Sequence, residues 1–260
     1  MSKNSSSLDA PAAKPKRSLK KALAYVVLLP VWVATAFVSA SLIVAGVLIA
    51  VKSLGWYTPV ENDPVLATVS AALVYSLALA IAVGIPYLYK KKTSLKDLGL
   101  GRLVSWLDIF STPAALVVYM VFSGLLMVAM SSLFPALDMQ QVQDVGFSNL
   151  SSRYQYVLAF LTLVVIAPIA EEALFRGYLY GKLKKYVPLW VAVVVTSLLF
   201  GAAHGQWNVA IDTFALSVVM CALREMTGSI WAGILLHMTK NGIAFYFLFI
   251  NPSILSTLGG

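Results

Sequence analysis

The sequence predicts an all-α fold, a polytopic transmembrane helix bundle with about seven spans, or eight if one of them is broken. Of the 260 residues, 60% are hydrophobic and 12% are charged, against roughly 25% charged residues in soluble domains. Several apolar runs exceed the ~18 residues that indicate a membrane-spanning helix. These runs are continuous and lack the alternation of a membrane β-barrel, so helices are favoured.

The chain begins with a basic segment that precedes a long apolar run. Residues 1–21 are rich in Ser, Lys, Ala and Pro, which predicts a disordered cytoplasmic tail. The run from Ala22 to Val51 is too long for the core of a signal peptide, so we interpret it as the first span. Pro30 either kinks this helix or separates an interfacial segment from the true span.

The charges of the next loops predict how the following spans are oriented. The second and third spans are predicted at Pro64–Tyr89 and Asp108–Leu133. The loop at residues 90–102 is strongly basic and therefore cytoplasmic by the positive-inside rule. The segment after the third span contains Asp138 and Asp144 but no lysine, which indicates the outer side.

Four further spans are predicted in the second half of the chain. They are Tyr154–Tyr180, Pro188–Ala203, Asn208–Leu223 and Ser229–Ile250, the last of which would become two if Gly242 broke it. We therefore divide the rest of the chain into N-terminal transmembrane helices at 22–153, a core at 154–250 and a short C-terminal tail at 251–260.

The net charge of +8 lies largely in loops and in the tail, where it sets orientation and contacts anionic lipid. We therefore expect the lipid bilayer, and no nucleic acid, among the partners. The one cysteine, Cys221, cannot form an internal disulfide. The apolar runs predict an integral membrane protein, and the short loops and missing retention signal favour a bacterial cell membrane.

A pair of adjacent carboxylates stands out in the fourth span, in the motif Glu171-Glu172-x-x-x-Arg176. A charge at the bilayer centre costs about 2.5–3.5 kcal/mol on insertion scales, so such carboxylates are candidates for function. Glu172 and Arg176 are four residues apart and are predicted to pair on one helix face. Glu171 points about 100° away. It is left without its own cation, which suits a general base. A purely structural ion pair is the alternative.

Two further motifs contain the only histidines, Phe200-x-x-x-His204 and His237-x-x-x-Asn241. The first spacing places the Phe200 ring on the same helix face as the imidazole, although a histidine at a helix end is often simply hydrogen-bonded there. In the second motif an imidazole and an amide share one face of an apolar span. Such groups must face a polar cavity or bond to other helices, and both alternatives are open.

These groups are predicted to lie at a common depth in the membrane. At 1.5 Å per residue, Glu171 is about 16 Å and His204 about 24 Å from the cytoplasmic ends of their spans. His237 and Asn241 are about 13 and 20 Å deep. In a hydrocarbon core about 30 Å thick, all four can meet near the middle in one wet site.

The three motifs in this order resemble the CPBP family of intramembrane proteases, the CAAX prenyl endopeptidase and bacteriocin-processing (Abi) family. The resemblance covers roughly Tyr154 to Ile250. It implies that Glu171 is the general base that activates a water and that His204 binds or orients this water. It also implies that His237 and Asn241 hold the oxyanion of the tetrahedral intermediate.

The same resemblance makes Glu172, Arg176 and Phe200 supporting residues. The family has been labelled both as metalloproteases and as metal-independent glutamate proteases. Two glutamates and two histidines suit zinc, but the HExxH spacing is absent. We therefore predict a site with no metal and no other cofactor, with zinc as the alternative.

The leading hypothesis is an intramembrane endopeptidase that acts on a membrane-associated protein or peptide. The alternative is a non-enzymatic membrane scaffold, or an immunity or transport protein, that uses the same polar cavity. Two other intramembrane charges receive a structural interpretation. Asp212 is expected to pair with Arg176 or Lys240, and Lys240 either tunes the oxyanion region or snorkels to the interface.

Overall fold

The structure, a computed structural model, describes residues 19–56, 63–139, 147 and 150–253. Over these residues the predicted all-α fold is confirmed, since they form helices and no strand. The predicted tails lie largely outside the described residues, which exclude 1–18 and 254–260, and so does Asp144.

Seven long helical segments follow one another in the described residues. They are α1 (Leu19–Ser53), α2 (Pro64–Leu88), α3 (Trp106–Leu133), α4 (Arg153–Tyr186), α5 (Leu189–Ala202), α6 (Trp207–Thr227) and α7 (Trp231–Ile250). Short π-helical stretches occur within α2, α4 and α7.

The predicted count of seven or eight spans is not confirmed. Among the described residues, five helices are long and apolar enough to cross a membrane, namely α1, α2, α3, α4 and α7. Helix α5 is apolar but has only 14 residues, and α6 includes Asp212, Arg224 and Glu225. The predicted break at Gly242 does not occur, because the α-helix runs from Trp231 to Phe245 through it.

Local sequence explains where several helices begin and end. Helix α1 continues through Pro30, so this residue does not separate an interfacial segment from the span. The side chain of Asp63 accepts hydrogen bonds from the first turn of α2, and Pro64 occupies its first position, where no N–H is needed. Gly228 ends α6 in the left-handed conformation with φ of 68°.

Helix α4 occupies the centre of the bundle. It packs against α1, α2, α5, α6 and α7, and all residues of its π-helical stretch Ala173–Tyr180 are buried. In the most apolar window of α4, 44% of the residues are buried, against 17–28% in the other four candidate spans. The double glutamate therefore lies on the most buried of the five candidate spans.

The loop between α2 and α3 holds the end of α6 and the start of α7. The carbonyl oxygen of Gly99 accepts hydrogen bonds from the Ser229 hydroxyl, at 2.8 Å, and from the Ile230 amide, at 3.2 Å. In the same loop, Asp97 pairs with Lys185 of α4 at 2.7 Å. This hydrogen bond, together with those from Ser94, lowers the pKa of the Asp97 carboxyl.

Helices α5 and α6 approach each other closely at Gly201. A Cβ atom at this position would lie 2.6 Å from the carbonyl oxygen of Ala210. We expect Gly201→Ala to lower the free energy of unfolding by about 1–3 kcal/mol, because the two backbones must separate. Unfolding of the detergent-solubilised protein by heat or SDS measures the effect.

The control for this substitution is Gly124→Ala in α3, where no atom lies within 4 Å of the added Cβ. It is expected to raise the free energy of unfolding by up to about 1 kcal/mol, because alanine favours a helix interior over glycine. Equal stability of the two variants would contradict the close approach of α5 and α6.

Candidate active site

A cavity of about 610 Å³ lies between α1, α2, α4, α5, α6 and α7. The four candidate catalytic residues line this cavity together, although they come from α4, from the turn after α5 and from α7. They are Glu171, His204, His237 and Asn241. Phe200 and Lys240 also line the cavity, whereas Glu172 and Arg176 are fully buried behind its wall.

Glu171 projects into the cavity with 15% of its side chain exposed. Its Oε1 accepts a hydrogen bond of 2.5 Å from the hydroxyl of Tyr75 on α2. Its Oε2 lies 3.9 Å from Nε2 of His237. The sequence predicted that Glu171 has no cation on its own helix. In the structure, the Tyr75 hydroxyl and the His237 imidazole, both from other helices, lie beside its carboxylate.

The predicted pair between Glu172 and Arg176 is confirmed, with 2.8 Å between Oε1 and Nη1. Both side chains are completely shielded from solvent. The guanidinium carbon of Arg176 also lies 4.2 Å from the centroid of the Phe200 ring, in a cation–π arrangement. Gly233 leaves room for the carboxylate, because a Cβ there would lie 3.0 Å from Oε2 of Glu172.

His237 connects the two glutamates. Its Nδ1 lies 3.2 Å from Oε1 of Glu172, and its Nε2 faces Glu171. Since a carboxylate paired with arginine can only accept, Nδ1 of His237 carries the hydrogen in this contact. Nε2 then carries a second hydrogen only when the ring is cationic.

His204 occupies the turn between α5 and α6. Helix α5 ends at Ala202 and the chain reverses at Gly205, whose φ is 74°, so the predicted interruption is observed. Nδ1 of His204 lies 2.8 Å from the carbonyl oxygen of Phe200 and must donate to it. In the neutral ring, Nε2 is then an acceptor. The rings of Phe200 and His204 meet edge to face, with centroids 5.0 Å apart, so the contact predicted from their spacing is observed.

Asn241 uses one N–H of its amide to bond to another helix. Its Nδ2 donates to the carbonyl oxygen of Leu163, at 2.9 Å, in a π-helical stretch of α4. An amide has two N–H donors, so a second hydrogen bond can be made to a group in the cavity. Asn241 can therefore bond to α4 and also donate a hydrogen bond into the cavity.

Lys240 pairs with Asp212, and it is one of the two partners that were predicted for this aspartate. Nζ of Lys240 lies 3.3 Å from Oδ2 of Asp212. Oδ1 of Asp212 accepts hydrogen bonds of 2.6 Å from Tyr119 and from Ser123, both on α3. The ion pair with Asp212 thus binds Lys240 to its neighbour α6.

No group of three or more His, Cys, Asp or Glu side chains in the described part of the chain is arranged to hold a metal ion. Cys221 is buried away from the cavity lining, as expected for a small packing residue. A site without metal stays a prediction.

Part of the chain is similar to known proteins of the family that the three motifs resemble. Residues 153–243 match the family model of Rce1-like type II CAAX prenyl endopeptidases. The resemblance is confirmed over this segment. All seven residues of the three motifs lie within it, whereas Tyr75 lies outside.

Two relatives illustrate the extent of the similarity. The chain is 31% identical over 96 residues to an uncharacterized 24.3 kDa protein of Escherichia coli, which is 35% of the chain and 44% of that relative. It is 29% identical over 97 residues to the membrane-embedded CAAX protease MroQ of Staphylococcus aureus strain USA300, which is 35% of the chain and 39% of MroQ. The matched segments thus span less than half of each relative. No solved structure matches the chain at a significant level.

Together with the five apolar helices, these similarities identify an integral membrane protein.

Proposed function

We propose that this protein is an intramembrane endopeptidase of a bacterial cell membrane and that it hydrolyses a peptide bond of a membrane-associated protein or peptide. The observation that carries the proposal is that the Glu171 carboxylate shares one cavity with His204, His237 and Asn241. A carboxylate, two imidazoles and an amide in an otherwise apolar bundle suit water activation and stabilisation of an oxyanion.

In this mechanism Glu171 is the general base. It accepts a proton from a water molecule, and the resulting hydroxide attacks the carbonyl carbon of the scissile peptide. Nε2 of His204 accepts the second hydrogen of the water and orients it, because its Nδ1 is engaged by the Phe200 carbonyl. Glu171 then delivers the proton to the leaving amine. A positioned base of this kind contributes about 10²–10⁴-fold to the rate.

The oxyanion of the tetrahedral intermediate is held by two donors from α7. One is Nε2 of His237, which donates to the oxyanion when the ring carries hydrogens on both nitrogens. The other is the second N–H of Asn241. Each such donor is worth about 10²–10³-fold in a water-poor site. Glu172 and Arg176 lie outside the cavity lining and support His237, because Glu172 contacts Nδ1 of His237 and Arg176 pairs with Glu172.

The test is to incubate the reconstituted protein with the membrane fraction of its host cells and to map new peptide termini by mass spectrometry. The wild-type protein is expected to produce new termini that Glu171→Gln does not produce. The same termini from both proteins would contradict the mechanism. No new termini from the wild type would favour the non-enzymatic scaffold, immunity or transport alternative.

A further inference from the structure

Tyr75 is part of the candidate site although it lies on α2, outside the segment that matches the family model. Its ring lines the same cavity as Glu171. Its hydroxyl donates a hydrogen bond to Oε1 of Glu171, at 2.5 Å, across 96 positions of sequence. None of the three sequence motifs includes this residue.

We propose that Tyr75 is a positioning residue, which fixes the Glu171 carboxylate in the orientation that accepts a proton from the attacking water. The inference rests on the proposed function, because it assigns Glu171 the role of base. It extends the site beyond the matched segment and gives the N-terminal half of the chain a part in the chemistry.

The hydrogen-bond geometry indicates different roles for the two carboxylate oxygens of Glu171. A carboxylate only accepts and a phenol can donate, so the direction of the bond to Oε1 is unambiguous. Oε2 lies 3.9 Å from Nε2 of His237, which is too long for a hydrogen bond. Tyr75 therefore holds one oxygen of Glu171, and the other is directed towards His237 and is available to water.

Tyr75 is itself held in place by its neighbours. Its ring meets Phe37 of α1 edge to face, with centroids 5.8 Å apart and an interplanar angle of 61°. Helix α2 packs against both α1 and α4. The phenol is thus anchored on two helices that do not include Glu171, which is what a group that orients this carboxylate requires.

A change at Tyr75 leaves the other titratable groups around Glu171 in place. His237 and Lys240 face the cavity from α7, His204 faces it from the turn after α5, and Glu172 adjoins Glu171 on α4. A displaced pH–rate profile of a Tyr75 variant would therefore report the lost hydrogen bond.

The experiment compares Tyr75→Phe with Tyr119→Phe in the reconstituted full-length protein, with a peptide substrate identified by the terminus mapping. Tyr119 is the matched control, because it also donates to a carboxylate inside the bundle, that of Asp212, at 2.6 Å. We expect Tyr75→Phe to lower kcat about 10-fold, as for loss of a hydrogen bond to a charged group, with KM changed less than about twofold.

The pH dependence supplies a readout that a structural role would not change. The acidic limb of the pH–rate profile of Tyr75→Phe is expected at higher pH, because the carboxylate loses a donor that stabilises its ionised form. Tyr119→Phe is expected to keep the wild-type kcat and profile.

Two outcomes would overturn the inference. The first is that Tyr75→Phe keeps the kcat and the pH–rate profile of the wild type. The second is that Tyr119→Phe loses as much kcat, and shows the same shift of its pH–rate profile, as Tyr75→Phe. Glu171→Gln in the same assay separates this inference from the proposed function. If Glu171→Gln cleaves the peptide normally, the proposed function fails, whereas an inactive Glu171→Gln beside a wild-type Tyr75→Phe overturns only the role of Tyr75.

Discussion

Replacement of Glu171 by glutamine is expected to lower kcat about 10²–10⁴-fold, the range that a positioned general base contributes. The amide has nearly the same shape as the carboxylate but cannot take a proton from water. Its oxygen still accepts from the hydroxyl of Tyr75, so the contact between α2 and α4 is retained. KM is expected to change little, because the carboxylate acts on the water. The measurement is the steady-state rate of peptide cleavage by the reconstituted variant.

The control is Glu225→Gln on α6, which makes the same chemical change at a partly exposed residue. Glu225 pairs with Lys184 at the surface and does not line the cavity. A surface ion pair is worth about 0–1 kcal/mol, so this variant is expected to keep wild-type activity and stability. A Glu171→Gln variant that retains more than about a tenth of the wild-type kcat would contradict the role of Glu171 as base.

Removal of the Arg176 side chain is expected to have the largest effect on stability. Arg176→Ala leaves the fully buried carboxylate of Glu172 without its cation, and breaking such a pair typically costs about 3–5 kcal/mol. The variant also loses the cation–π contact with Phe200. The free energy of unfolding in SDS and the yield of monodisperse protein in detergent measure the loss.

A double variant distinguishes stability from positioning. In Glu172→Met with Arg176→Met the buried charges are removed together, which is often neutral or stabilising when volume is kept. We expect most of the stability to return. Activity is expected to stay low, because Nδ1 of His237 no longer has the carboxylate that orients it. Full recovery of both properties would show that the pair has no role in positioning His237.

The sequence by itself determined the class of the fold and the local part of the site. Continuous apolar runs leave helices as the way to satisfy backbone groups in lipid, so the all-α bundle could be predicted from composition and run length. The pair between Glu172 and Arg176 could be predicted because a spacing of four residues places both side chains on one helix face. The break near His204 followed from the glycine and polar residues after α5.

The tertiary structure alone decided which groups meet across helices. Tyr75 bonds to Glu171 across 96 positions and His237 bonds to Glu172 across 65. Spacing within a helix predicts which side chains share a face, but helix rotation and packing decide which faces meet. The same reason explains why Asp212 pairs with Lys240 and not with Arg176, and why Gly201 contacts the backbone of α6.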